Sequence, residues 1–143
     1  MKTHSTAVWR GGYADGDGTV SGKSGALSNC SYASPIPSKF EKMGETNPEE
    51  LVAAAHATCY NLTLSYILHK AGLTPESVET TAEVTLEKGR EGLVLTTSHL
   101  TVKARIPGVD RARFQELAAQ AKVDCLMGKH LKLDITLDAE LEG

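Results

Sequence analysis

Three cysteines, Cys30, Cys59 and Cys125, have the widest chemical range of any residues in this 143-residue chain. A cysteine thiolate is a nucleophile and a metal ligand, whereas a buried thiol among apolar neighbours is only a small packing group. Cys59 closes the stretch "NPEELVAAAHATC", which has the pattern of a capped helix. A reactive thiolate there needs a cation or a helix N-terminus nearby. Its position well inside the helix removes the second option, so a cation must come from another part of the chain. Cys125 lies 66 residues further on, at the end of a second helical pattern. The two cysteines make a pair if the fold brings their Cα atoms within about 7 Å. Until then, simple packing remains open for both. Cys30 has no evident partner and is read as structural.

The same residues allow a metal reading. His56 and Cys59 are three apart on one helix, and Cys125 with His130 would complete a zinc-type set of four. Against this, the chain has no Cys-x-x-Cys pair and no His-rich tract. His56 is otherwise a helix-face or core histidine. The stretch "DGDGTV" resembles a calcium loop only superficially, because the sixth-position glycine and terminal glutamate are missing. It reads as a turn. No P-loop or Gly-x-Gly-x-x-Gly phosphate cradle is present, and no Ser/His/Asp arrangement stands out.

The elements that must position these residues follow from periodicity and punctuation. The first forty residues, rich in Gly, Ser and Thr, read as extended chain broken by the turn cluster "GGYADGDG". The two prolines of "YASPIPSKFEKMGE" mark an irregular connection. A long helix is expected from Asn47 to about Ala71. Asn47 is its N-cap, Pro48 takes the first helical position, Glu50 stands at the capping-box position, and Gly72 is the stop. Apolar residues surround it, which suits burial within the fold or at a subunit interface. "VETTAEVTLEK" and "LVLTTSHLTVKARI" alternate as strands joined by "GREG", a hairpin. Asp110 caps a second helix to about Cys125, with Phe114, Leu117, Ala118 and Ala121 on one face. "LKLDITLDAEL" is a final strand. The layout is α+β, in one domain by length.

Composition narrows the function classes. A hydrophobic share of 41% and a charged share of 23% describe an ordinary globular protein. Scattered Lys and Arg under a net charge of −3 argue against nucleic-acid binding. The N-terminal stretch has no signal-type apolar core, and no apolar run approaches the ~20 residues of a bilayer crossing. A cytoplasmic location without a membrane role is expected.

Taken together, the motifs resemble the OsmC/Ohr family of osmotically inducible and organic-hydroperoxide-resistance proteins, on its OsmC branch. "GETNPEELVAAAHATCYNLTLS" is similar to the family's first-helix signature, "AVWRGG" and "GTVSGKSGAL" to its first strands, "IPGVD" to the entry of its second helix, and "AKVDC" to its second cysteine. The resemblance spans nearly the whole chain. It implies a single OsmC-like domain over residues 1–143, with antiparallel-rich sheets around two main helices, a long buried first helix, and an intertwined homodimer. The implied activity is that of a thiol-dependent peroxidase acting on organic hydroperoxides and hydrogen peroxide. Carried over by position, Cys59 matches the peroxidatic cysteine, Cys125 the resolving cysteine and Glu49 the acidic residue of the site.

The family's arginine falls on Lys39, a departure, since lysine is a flexible point charge rather than a planar fork. Arg10 is the alternative cation. Leu126 stands where relatives commonly carry proline. The implied partners are a hydroperoxide and a dithiol reductant, a small thiol or a lipoyl-type protein, with no metal or cofactor. Glu49 and Cys59 are ten residues apart on one helix, about 15 Å at ~1.5 Å per residue. They serve one site only if a long cation spans the gap or the glutamate comes from a second subunit. The alternatives are an OsmC-like ligand-binding protein with inert thiols and the zinc domain above.

Overall fold

The computed structural model describes residues 1–33 and 43–143. The chain divides into two units, residues 1–51 and 52–143.

The first unit is a three-stranded antiparallel sheet in the order β1-β2-β3, with β1 Ser5–Arg10, β2 Asp17–Gly22 and β3 Cys30–Tyr32. The expected turn cluster joins β1 to β2, and the Gly16 N–H closes it by donating to the Gly12 carbonyl at 2.7 Å. Trp9 and Tyr32 pair across the sheet with ring centroids 5.6 Å apart. Beyond β3 the chain returns beside itself. The Ala33 N–H donates to the Thr46 carbonyl, and the Thr46 N–H donates to the Ser31 carbonyl.

Helix α1, Pro48–Lys70, starts at the end of this unit and belongs mostly to the second. Its N-cap is Asn47, whose side-chain oxygen accepts from the Glu50 N–H at 2.7 Å. The Glu50 carboxylate accepts from the Thr46 hydroxyl. At the other end Gly72 adopts φ +74°, the left-handed conformation that glycine takes without a Cβ penalty. There the Leu73 N–H reaches the Leu68 carbonyl and the Gly72 N–H reaches that of His69, a Schellman stop.

The second unit holds a three-stranded sheet in the order β4-β5-β6, of β4 Ser77–Gly89, β5 Gly92–Arg105 and β6 Asp134–Leu141. The first two form the expected antiparallel hairpin, with a register shift at Thr85/Leu86. β6 pairs parallel to β5, from Thr97↔Asp134 to Ala104↔Leu141. Parallel neighbours need a crossover, which here contains α2, Arg111–Asp124, and the short α3, Leu126–His130. Asp110 caps α2 through the Arg113 N–H at 2.8 Å. Gln115 ties α2 to β6 by donating to the Ala139 carbonyl at 2.7 Å. The turn of α3 was not expected from the sequence, and β6 begins three residues later than the apolar alternation suggested.

The core of this unit lies between α1, α2 and one face of the sheet. Tyr60, Leu64 and Leu68 from α1 meet Leu100, Val102 and Ala104 from β5, and Phe114, Leu117, Ala118 and Ala121 from α2. α1 buries one stripe, His56, Tyr60, Leu64, Ile67 and Leu68, and leaves Leu62 and Tyr66 open at 74% and 63% exposure. α1 is 23 residues long, and its most apolar 18-residue window has a mean hydropathy of 1.2, so it passes a membrane-span test by length and composition only. The core helix of a soluble protein passes the same test, and 28% of the window in α1 is buried within the chain.

Candidate active site

Cys59 sits near the middle of α1, half-buried, against the core. Cys125 is fully buried at the junction of α2 and α3, where its own N–H closes α2 on the Ala121 carbonyl. The fold brings the two thiols together as direct neighbours, and both are reduced. Burial pushes the Cys125 thiol up from its ordinary pKa, and the neighbouring Cys59 pushes in the same direction. The backbone N–H groups of Gly128 and Met127, at the start of α3, pull it partly back. The turn that α3 makes after Cys125 is therefore part of the site.

Two buried side chains flank the cysteines. The Tyr60 hydroxyl donates to the Ala118 carbonyl of α2 at 3.0 Å. Its phenol is pushed to a higher pKa by burial first and by Cys125 second. His56 is fully buried, and its Nδ1 shares a 2.7 Å hydrogen bond with the Ser98 hydroxyl of β5. Its Nε2 is buried with no hydrogen-bond partner among the described residues. Burial lowers the pKa of this imidazole, which keeps it neutral.

Cys59 opens onto a groove of about 700 Å³ between α1 and α2. Leu62, Tyr66 and Leu117 make its apolar wall, and Lys70, Arg113 and Asp124 bring charge of both signs to it. Arg113 is already paired with Glu116 at 2.9 Å. Such a groove admits an apolar molecule to the Cys59 sulfur while leaving Cys125 behind it in the core.

The remaining residues expected at the site are placed differently. Glu49 lies in the first turn of α1, half-buried, with Oε2 buried and without a hydrogen-bond partner among the described residues. Lys39 lies outside the described residues. Arg10 is exposed at the end of β1 in the first unit, and Cys30 is half-buried in β3. The four residues of the zinc reading do not gather. His56 is engaged by Ser98, and His130 Nδ1 lies 2.8 Å from the Leu126 carbonyl. Among the described residues no three His, Cys, Asp or Glu side chains are grouped to hold a metal. Sequence reasoning missed Arg113, because nothing in the chain pattern places α2 beside the Cys59 turn, and passed over Lys70, three turns further along α1 itself. It also passed over Tyr60 and gave His56 only a metal or packing role, although His56 lies one helical turn before Cys59.

The α+β fold thus sets a half-exposed thiol on a central helix directly beside a buried second thiol. The chain belongs to the OsmC-like protein family, whose sequence profile matches residues 41–140. It is 41% identical to peroxiredoxin OsmC of Escherichia coli over 137 residues, which is 96% of this chain and 94% of that one. Among solved structures it is similar to the organic hydroperoxide resistance protein OhrB of Bacillus subtilis. That match has a TM-score of 0.68 at 25% identity and covers 97% of this chain and 98% of the other. An OsmC-like protein of Mycoplasma pneumoniae shares the fold at a TM-score of 0.78 and 15% identity, over 100% and 99% of the two chains.

Proposed function

We propose that this protein is a thiol-dependent peroxidase that reduces organic hydroperoxides, and hydrogen peroxide as well. The observation that carries the reading is the pair of neighbouring thiols, Cys59 at a groove and Cys125 buried behind it. The 41% identity to a peroxiredoxin over nearly the full length supports it. Because that relative aligns over 96% of the chain, the two units are read as parts of one OsmC-like domain over residues 1–143.

In the proposed cycle the Cys59 thiolate attacks one peroxide oxygen, the O–O bond breaks, and an alcohol or water leaves. Cys59 becomes a sulfenic acid. Cys125 then condenses with it, forming the S–S bond and releasing water. An external dithiol, a small thiol or a lipoyl-type protein, reopens the disulfide by exchange. The apolar wall of Leu62, Tyr66 and Leu117 favours hydroperoxides with apolar tails.

Glu49 and Lys39 are assigned to the site by resemblance to the family. The unpartnered Glu49 oxygen supports a role in holding a cation. Ten residues of helix separate Glu49 from Cys59, so the glutamate of one chain serves the cysteine of another in the proposed homodimer. The open apolar face of α1 at Leu62 and Tyr66 supports burial against a second copy. A cytoplasmic location fits the reductant, since that compartment keeps thiols reduced.

The test is consumption of cumene or tert-butyl hydroperoxide with a dithiol reductant. Wild type turns over, Cys59→Ser does not, and Cys125→Ser reacts once and then stalls or overoxidises. If wild type is no faster than Cys59→Ser, the peroxidase reading fails.

A further inference from the structure

The peroxidase reading leaves one step without an agent. Cys125 is fully buried and favours its protonated form, yet it must attack the Cys59 sulfenic acid as a thiolate. Water cannot serve freely as the base at a fully buried sulfur. Among the described residues, the ionisable neighbours of Cys125 are Cys59 and Tyr60, both on α1. Cys59 is the electrophile in this step, and the Tyr60 hydroxyl is a donor committed to the Ala118 carbonyl.

Among the described residues, His56 is the remaining buried titratable group in this layer. It is fixed on one side by the 2.7 Å contact of Nδ1 with the Ser98 hydroxyl. On the other side Nε2 faces Gly128, in the turn that follows Cys125. A Cβ placed on Gly128 would stand 3.4 Å from His56 Nε2 and 3.7 Å from the Cys125 Cβ. The imidazole nitrogen and the cysteine therefore flank the same point, which the missing side chain of Gly128 leaves free. A buried polar atom without a partner costs about 1–3 kcal/mol, so its retention calls for a reason.

We propose that His56 Nε2 is the proton acceptor for Cys125 in the disulfide-forming step, acting across the space left by Gly128. This rests on the peroxidase reading. With its hydrogen on Nδ1 donated to the Ser98 oxygen, the ring presents a lone pair at Nε2. The Cys125 proton is relayed to Nε2 through one water in the space left by Gly128, and the sulfur electron pair forms the bond to the Cys59 sulfur. The S–O bond of the sulfenic acid breaks, and its electron pair leaves with the oxygen. His56 returns the proton to that oxygen, so that water is released and the imidazole is neutral again. Atoms and charge balance without a further reactant. Ser98 fixes the ring and is a positioning residue.

The experiment separates the two chemical steps in stopped flow, with a single equivalent of tert-butyl hydroperoxide and the pre-reduced full-length protein. Cys59 oxidation is followed by trapping with a sulfenic-acid reagent, and disulfide formation by acid quench and mass spectrometry. In His56→Gln, Cys59 oxidation keeps its wild-type rate, while disulfide formation slows about 100-fold or more, the lower end of general-base effects. The pH profile changes as well. In wild type the disulfide step levels off once His56 is neutral, below its ordinary pKa near 6.5. In His56→Gln it rises with pH throughout the neutral range.

Should glutamine not fold, Gly128→Ala decides. Alanine favours a helix over glycine by about 1 kcal/mol, and the histidine stays. The added methyl fills the shared space, and disulfide formation alone slows. A wild-type rate of disulfide formation in the variant, an unchanged pH profile, or equal slowing of both steps overturns the proposal. Failure of wild type itself to oxidise Cys59 or form the disulfide would instead overturn the peroxidase reading.

Discussion

Replacing Tyr60 by phenylalanine removes one hydroxyl from a residue with no solvent exposure and leaves the ring in place. The loss is the 3.0 Å hydrogen bond to the Ala118 carbonyl, a net contribution of about 1 kcal/mol. At neutral pH, Tyr60→Phe should therefore be less stable by that amount, a fall in Tm of about 3–4 °C for a domain of this size. The pH dependence is the sharper test. Burial and then Cys125 raise the folded-state pKa of Tyr60 above the ordinary tyrosine value of 10.0. The stability contributed by the neutral phenol is thus present in full below pH 10 and is lost as the pH rises towards the folded-state value. At pH 11 the unfolded tyrosine is mostly ionised while the folded one is not, which costs wild type about 1.4 kcal/mol that Tyr60→Phe does not lose. The raised pKa of Cys125 adds an alkaline loss to both proteins and cancels in the difference. Urea titrations under reducing conditions should show wild type ahead at pH 7.5 and the two proteins equal, or the variant ahead, at pH 11. A constant difference at both pH values would refute the placement of Tyr60 as a buried, neutral donor beside Cys125.

Three further outcomes are expected. Phe114→Ala empties a fully buried site between α2 and the sheet and should cost about 3–5 kcal/mol in urea unfolding, against less than about 1.5 for a volume-conserving change such as Leu100→Met. Gly72→Ala meets no atom within 4 Å, so its expected loss of about 1–2 kcal/mol is conformational strain at φ +74°, measured by thermal melts. If the proposed homodimer forms through the open face of α1, Leu62→Glu should leave the chain folded by circular dichroism yet sediment as a monomer where wild type sediments as a dimer.

Much of the fold is legible in the sequence where local chemistry decides it. Asn47 and Gly72 bracket α1, and Asp110 starts α2, because caps satisfy orphan backbone groups within a few residues. The α2 face of Phe114, Leu117, Ala118 and Ala121 follows from the 3.6-residue period. The direction of β6 was not legible, since alternation marks a strand but not its partner, and only the crossover through α2 makes it parallel to β5. The all-round apolar character of α1 gave no stripe to read. Which residues are buried depends on where β5 and α2 meet it.

For the site, the sequence by itself determined the candidates. Cys59 and Cys125 are set by residue type, by their helical contexts and by resemblance to the family. Only tertiary structure decided that these thiols, 66 residues apart, are neighbours. It also decided that Cys125 is the buried one, that Arg113 and Lys70 line the groove at Cys59, and that His56 faces Gly128 with a free nitrogen. The physical reason is that a thiol's reactivity depends on its burial, nearby charge and proton acceptors. Those come from elements distant in sequence, and no local pattern encodes their meeting.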